Sequence, residues 1–324
     1  MTPELTRWCF IGTGTLAKPI AEILTKSDHH QVTSVYTRTF EKGQAFAATY
    51  GATAYPTLEE AVSAPDVDAV YIVTPHNNHF QSAKTALLLG KPVLLEKPFT
   101  MTAAEAKELF ALAERQNLYL AEAMWTWFSP IANQVKTWLD AGEFGDLEDV
   151  RINHKVNILK YAPRVTDPNR AGGAILDTGV YPLTFAYRLF GQPETLVCEG
   201  ELADGIDLQE TVTLTWKNGL TVPIGVSIAT DKYLEEIYLK GTKAKMLLEH
   251  FHGAESVTLE RADGTTETVT AKDLYLNEFN LAAEEFRSGK LTSSYVPKEA
   301  TIAVMELIDE CRRQMNLVYP FERS

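Results

Sequence analysis

Pro92-Val93-Leu94-Leu95-Glu96-Lys97-Pro98-Phe99 is a short apolar run that stops abruptly in a charged pair and a proline. A run this apolar suits a strand covered on both faces, as in a parallel sheet flanked by helices. Pro98 lacks an amide donor and holds Lys97 extended, so regular structure ends there. The Lys97-Pro98 bond is also a candidate for a cis peptide. Glu96 and Lys97 then stand at the carboxyl end of a central strand, where open parallel sheets bind their ligands. Taken alone, Lys97 is more simply an ordinary solvated lysine at a strand end, a reading that its neighbours weaken.

The chain before this point alternates strand and helix. Trp8 to Ile11 reads as a buried strand, followed by Gly12-Thr13-Gly14-Thr15-Leu16-Ala17 and a helical pattern through Ile20, Ile23 and Leu24. Gly12 permits the tight turn, Gly14 lets a pyrophosphate approach the backbone, and Ala17 allows close helix packing. The helix start presents free amides and a positive dipole end to phosphates. Val32 to Tyr36 is the second strand. Where a site for NAD carries Asp or Glu, this chain has Thr37-Arg38-Thr39. Arg38 can pair with a 2′-phosphate, which favours NADP and leaves NAD open. It can also stack on adenine or point to solvent.

Ala69 to Val73 is a further strand, ending in Thr74-Pro75-His76-Asn77-Asn78-His79. His76 and His79 are three apart, but no cysteine or acid stands near them, so no metal is expected. Asn78 reads as the cap of a helix from Phe80 to Leu89, and His79 as a neutral hydrogen-bonding group lining the nucleotide or substrate site. Thr102 with Glu105 forms a capping box for the next helix, and Leu118 to Glu122 is the sixth strand. The pattern predicts a doubly wound parallel sheet with right-handed crossovers.

The 324 residues allow two domains, with the boundary expected at 1–124 and 125–324. The net charge of −13 repels nucleic acid. No apolar stretch is long enough to span a bilayer. Met1 to Arg7 carries no signal-peptide pattern, and Cys9, Cys198 and Cys311 have no motif spacing. A reducing, cytoplasmic compartment follows as the expectation.

Met124-Trp125-Thr126-Trp127-Phe128 opens the second half. These aromatics either wall a pocket or pack a seam between domains. Arg170-Ala171-Gly172-Gly173 leads into a helical pattern through Leu176, Val180, Leu183 and Tyr187, with Asp177 and Tyr181 on one face. A lysine ammonium nearby would ease ionisation of the Tyr181 phenol, so that it could exchange a proton with a substrate oxygen. On residue types alone, a dipole-favoured Asp177 and a core Tyr181 explain the pair better. From Glu194 to Thr270 the chain reads as hairpins, with turns at Asn218-Gly219 and Ala262-Asp263-Gly264. Amphipathic helices from Phe279 to Ser288 and Lys298 to Met315 close the chain. The fold class is therefore α/β, with an N-terminal parallel sheet and a C-terminal α/β domain built on a large, mainly antiparallel open sheet.

Five stretches together resemble the Gfo/Idh/MocA oxidoreductase family, named for glucose–fructose oxidoreductase and inositol dehydrogenase. They are Gly12 to Ala17, Thr74 to His79, Glu96-Lys97-Pro98, Glu122-Ala123-Met124-Trp125, and Gly172 to Tyr181, in the family's order. The likeness is strongest to the dimeric dihydrodiol dehydrogenase branch. It implies a Rossmann domain and hydride transfer between NAD(P) and a hydroxyl or carbonyl carbon of a sugar, cyclitol or diol. It makes Lys97 the catalytic lysine and Asp177 the substrate-domain aspartate. Tyr181 falls where many members have histidine; the dihydrodiol branch uses tyrosine there as proton donor. Glu122, Trp125, Trp127, Tyr161 and Asp177 are then candidates to line the substrate. A homodimer through the C-terminal sheet is implied by the family alone. The alternative reading is a protein of this fold that senses NAD(P) without catalysis.

Overall fold

The computed structural model describes residues 4–322. Met1 to Pro3 of the N-terminal segment, and the outer limits 1 and 324 of the expected domains, lie outside the described residues. The first half runs β1 (Thr6–Ile11), α1 (Ala17–Thr25), β2 (His30–Tyr36), α2 (Phe40–Tyr50), β3 (Thr53–Ala54), α3 (Leu58–Val62), β4 (Ala69–Ile72), α4 (His79–Leu88), β5 (Val93–Glu96), α5 (Ala103–Gln116) and β6 (Leu120–Ala123). The six strands form one parallel sheet in the order β3-β2-β1-β4-β5-β6. The order reverses between β1 and β4, which puts the ligand crevice of this unit at their carboxyl ends. Every residue of β4 and β5 is buried, as the apolar runs require.

The second half carries α6 (Pro130–Asp140), β7 (Leu147–Asn157), α7 (Val180–Phe190), β8 (Thr195–Ala203), β9 (Ile206–Thr215), β10 (Thr221–Ser227), β11 (Ala229–Gly241), β12 (Ala244–Glu249), β13 (Ser256–Arg261) and β14 (Thr266–Thr270), then α8 (Leu274–Arg287) and α9 (Lys298–Met315). Its eight strands form one sheet, β14-β13-β12-β11-β7-β10-β9-β8. All neighbours are antiparallel except β7 and β10, which run parallel. Both expected hairpin turns form: Gly219 and Gly264 sit at positive φ between β9 and β10 and between β13 and β14.

The chain separates into two units, Met1–Trp125 with Tyr275–Thr301, and Thr126–Leu274 with Ile302–Ser324. The single boundary expected at 124/125 therefore needs correction, because a later segment returns to the first unit. Phe279 on α8 is fully buried there, 5.0 Å from the rings of Trp8 and of Tyr71. An aromatic anchor of this size buries far more apolar surface on the parallel sheet than an exposed helix could. Two local expectations also change. Ile175–Gly179 is a π-helical turn ahead of α7, rather than part of one continuous α-helix. Asn78 makes no side-chain cap to α4; its amide donates to Asn77 Oδ1 at 3.2 Å.

Candidate active site

In the first unit, Gly12 takes φ +108°, and a Cβ there would come 2.6 Å from the Val73 carbonyl oxygen. Only glycine lets the β1 turn pass the end of β4 so closely. Thr13 is half-buried, Gly14 and Thr15 are exposed, and Gly14 has no atom within 4 Å of where a Cβ would point. Leu16 caps α1, whose first turn carries no acid. This is an open backbone cradle that suits a pyrophosphate. At the end of β2, Thr37 is half-buried and Arg38 exposed, with no carboxylate beside them in sequence. At the end of β4, Thr74 Oγ1 is buried without a partner, a hydroxyl that a ligand could satisfy. Pro75 leads into a short 3₁₀ turn, His76–Asn78, with His76 buried.

His79 is fully buried, its ring nitrogens 2.8 Å from the Pro98 carbonyl and 3.0 Å from that of Thr74. Burial pushes its pKa down to about 4 against the pull of those carbonyls. It is therefore neutral at pH 7, and it ties the loop after β4 to the loop after β5. The Lys97-Pro98 peptide is cis. Glu96 is buried and accepts hydrogen bonds from Tyr71 at 2.7 Å and from the Lys97 amide at 3.2 Å.

Two more carboxyls lie in this interior. Glu122 accepts from Thr301 at 2.9 Å, and burial raises its pKa to about 7, with the Lys97 charge pulling the other way. Glu278 on α8 is fully buried with neither oxygen bonded; burial and then the charges of Glu96 and Glu122 push it well up. Lys97 thus stands beside the buried carboxyls of Glu96 and Glu122. Glu278 escaped the sequence reading because nothing in its helical pattern marks it as buried. Trp125 stacks on Tyr275 at 4.4 Å.

In the second unit, Gly172-Gly173 opens the π-helical turn. Gly173 takes φ +117°, and a Cβ there would strike the Asp207 carboxylate, which accepts from the Ile175 amide at 2.5 Å. Asp177 is buried and paired with Arg164 at 2.7 Å. Arg164 is a residue the sequence left unnoticed, on a 3₁₀ turn with no motif of its own. Tyr181, on the first turn of α7, is only 7% exposed. Its ring lies 5.6 Å from His154 on β7 and 6.1 Å from His252. Trp127 is fully buried under the Arg188 guanidinium, 4.3 Å from its ring. Tyr161 is 84% exposed.

Behind Tyr181 lies a cluster that the sequence did not reveal. His154 Nδ1 is 3.1 Å from the Thr178 carbonyl. The His154 and His252 rings stack at 5.5 Å. Glu235 on β11 accepts from the His252 amide at 3.0 Å, from the His252 ring and from the Tyr233 hydroxyl. Burial works to raise the Glu235 carboxyl, but the His252 and Tyr233 bonds outweigh it and hold it at about 2. His154, Glu235 and His252 each offer one ligand atom within 4.8 Å of the others. They come from two strands and a loop about 100 residues apart in sequence, too dispersed for a spacing motif.

Two family models match the chain. One describes an oxidoreductase family with an NAD-binding Rossmann fold, over residues 6–123. The other describes the Gfo/Idh/MocA C-terminal domain, over residues 132–247. The trans-1,2-dihydrobenzene-1,2-diol dehydrogenase of Oryctolagus cuniculus is 30% identical, over 94% of this chain and 96% of its own. The scyllo-inositol 2-dehydrogenase (NADP(+)) of Bacillus subtilis is 28% identical, over 99% of this chain and all of its own. Among solved structures, a 3-ketoreductase from Actinomadura kijaniata, crystallised with NADP and TDP-benzene, superposes with a TM-score of 0.86 at 23% identity, over 96% of this chain and 98% of its own. That last likeness establishes the fold.

Proposed function

The chain belongs to the Gfo/Idh/MocA oxidoreductase family, and from that premise we propose an NADP-dependent dehydrogenase or reductase acting on a diol, cyclitol or sugar. Its relatives are dehydrogenases acting on CH–OH carbons. The coenzyme, when bound, accepts or supplies the hydride. The turn from Gly12 to Leu16, exposed at Gly14 and Thr15, would hold its pyrophosphate, Thr37 and Arg38 its 2′-phosphate, and the Thr74 to His79 loop with Glu96 and Lys97 its nicotinamide end. The exposed Arg38 and the lack of a carboxylate at the end of β2 support NADP over NAD.

Tyr181 exchanges a proton with the substrate oxygen, and the Lys97 ammonium stabilises negative charge as that oxygen or the phenol ionises. Asp177, already paired with Arg164, orients the substrate hydroxyls. Glu122, Trp125 and Tyr161 complete the proposed lining, with Trp127 fully buried behind it under Arg188. The buried Tyr181 of the second unit, with a charged pair one turn before it, carries this reading most. We further place the protein in the cytoplasm, supported by its three buried, unbridged cysteines, and read it as a homodimer.

The test is a panel of trans-1,2-dihydrobenzene-1,2-diol, scyllo-inositol and an aldose, with NADP⁺ or NAD⁺, followed by nicotinamide absorbance. Turnover with at least one of them, faster with NADP⁺, is expected. NADP⁺ binding without oxidation of any substrate would favour a silent binding protein instead.

A further inference from the structure

We propose that His252, anchored by Glu235, carries the Tyr181 proton to and from water, with His154 holding the two rings in register. This rests on the reading of Tyr181 as the proton-transferring phenol. A dehydrogenase must release one proton per turnover, and a phenol only 7% exposed exchanges slowly with bulk water. Several groups surround Tyr181 and His252. His154 comes from β7, Glu235 from β11, and the Tyr233 hydroxyl joins Glu235 to His250, whose Nδ1 lies 2.8 Å away. The Glu235 carboxylate holds His252 Nδ1–H and so fixes the tautomer with its lone pair on Nε2. The His252 side chain is 41% exposed while that of Glu235 is fully buried. One ring therefore lies 6.1 Å, centre to centre, from a buried phenol and also reaches solvent, with the Glu235 carboxylate behind it.

In the oxidation direction, the substrate O–H bond breaks as the hydride leaves carbon for the oxidised coenzyme, and the phenolate oxygen of Tyr181 takes the proton. The Tyr181 O–H bond then breaks, and an N–H bond forms on His252 Nε2. The imidazolium, balanced by Glu235, loses that proton to water. Reduction runs the same steps backwards. His252 is thus a positioning and relay residue rather than one that touches substrate.

The experiment is His252→Ala assayed with trans-1,2-dihydrobenzene-1,2-diol and NADP⁺, with and without added imidazole. Turnover should fall about 100-fold, NADP⁺ affinity should stay within about two-fold of wild type, and imidazole should restore turnover saturably by about ten-fold. His252→Gln, which keeps a polar atom toward Glu235, should show the same loss if His252→Ala folds poorly. Wild-type turnover in either variant overturns the relay, as does a loss in folded His252→Ala that imidazole leaves unchanged. Loss of wild-type turnover to a chelator, restored by zinc, would make His154, Glu235 and His252 a metal site and also overturn it. Wild-type turnover in Tyr181→Phe overturns both the relay and the reading beneath it. An inactive Tyr181→Phe beside an active His252→Ala overturns the relay alone.

Discussion

Lys97 stands beside two buried carboxyls, Glu96 and Glu122, and Glu122 has a strongly shifted titration. Glu122 is the member whose titration is best defined. Its pKa rises from 4.5 to about 7, chiefly through burial. The unfolded chain therefore gives up the proton at lower pH than the folded chain does. Between about pH 4.5 and pH 7 the folded state holds more protons, so stability falls as pH rises through that window. Glu122→Gln cannot titrate and can still accept from Thr301. It should unfold later than wild type by about 3 kcal/mol above pH 7, and no later near pH 4.5. Chemical denaturation at pH 5 and pH 8 is the check; equal stability gains at both would show that Glu122 does not carry the titration. His79 shows how a residue singled out by its motif can lie deeper than the sequence suggests. Its type and place are visible in the Thr74 to His79 run, but its two carbonyl neighbours come together only through the folded loops.

The elements that periodicity governs were readable in advance. Buried apolar runs give β1, β4 and β5, Asn218-Gly219 gives the β9–β10 turn, and Thr102 caps α5 by accepting the Glu105 amide at 3.3 Å. What local pattern does not encode is pairing. The parallel β7–β10 contact joins strands more than 60 residues apart, and the return of α8 depends on Phe279 finding Trp8 and Tyr71. The dimer is our proposal from the family resemblance, with its contact placed on the large sheet. Leu247 on β12 is 44% exposed and Val197 on β8 is 54% exposed, apolar side chains on strands rather than loops. Leu247→Asp should convert a dimer of two chains into monomers at micromolar concentration in sedimentation velocity. A wild-type protein that already sediments as one chain would refute the dimer.

For the whole molecule, the family and fold rest on motifs that follow the chain's order, whereas the site draws on residues no motif marks. Arg164, Glu235, His252 and Glu278 are polar residues whose places are set by the fold rather than by any motif: Glu235 and Glu278 are buried, and Arg164 and His252 pair with the buried Asp177 and Glu235. Their side chains are ordinary surface types, so only the assembled units reveal them. Lys97 and Tyr181 belong to different units, and the proposed chemistry asks both to serve one hydride transfer. The most direct test measures the turnover of Tyr181→Phe on the best substrate of the panel, beside its affinity for NADP⁺. Turnover should fall by about 100-fold or more with affinity unchanged. Turnover within about two-fold of wild type would contradict the assignment of the proton to Tyr181.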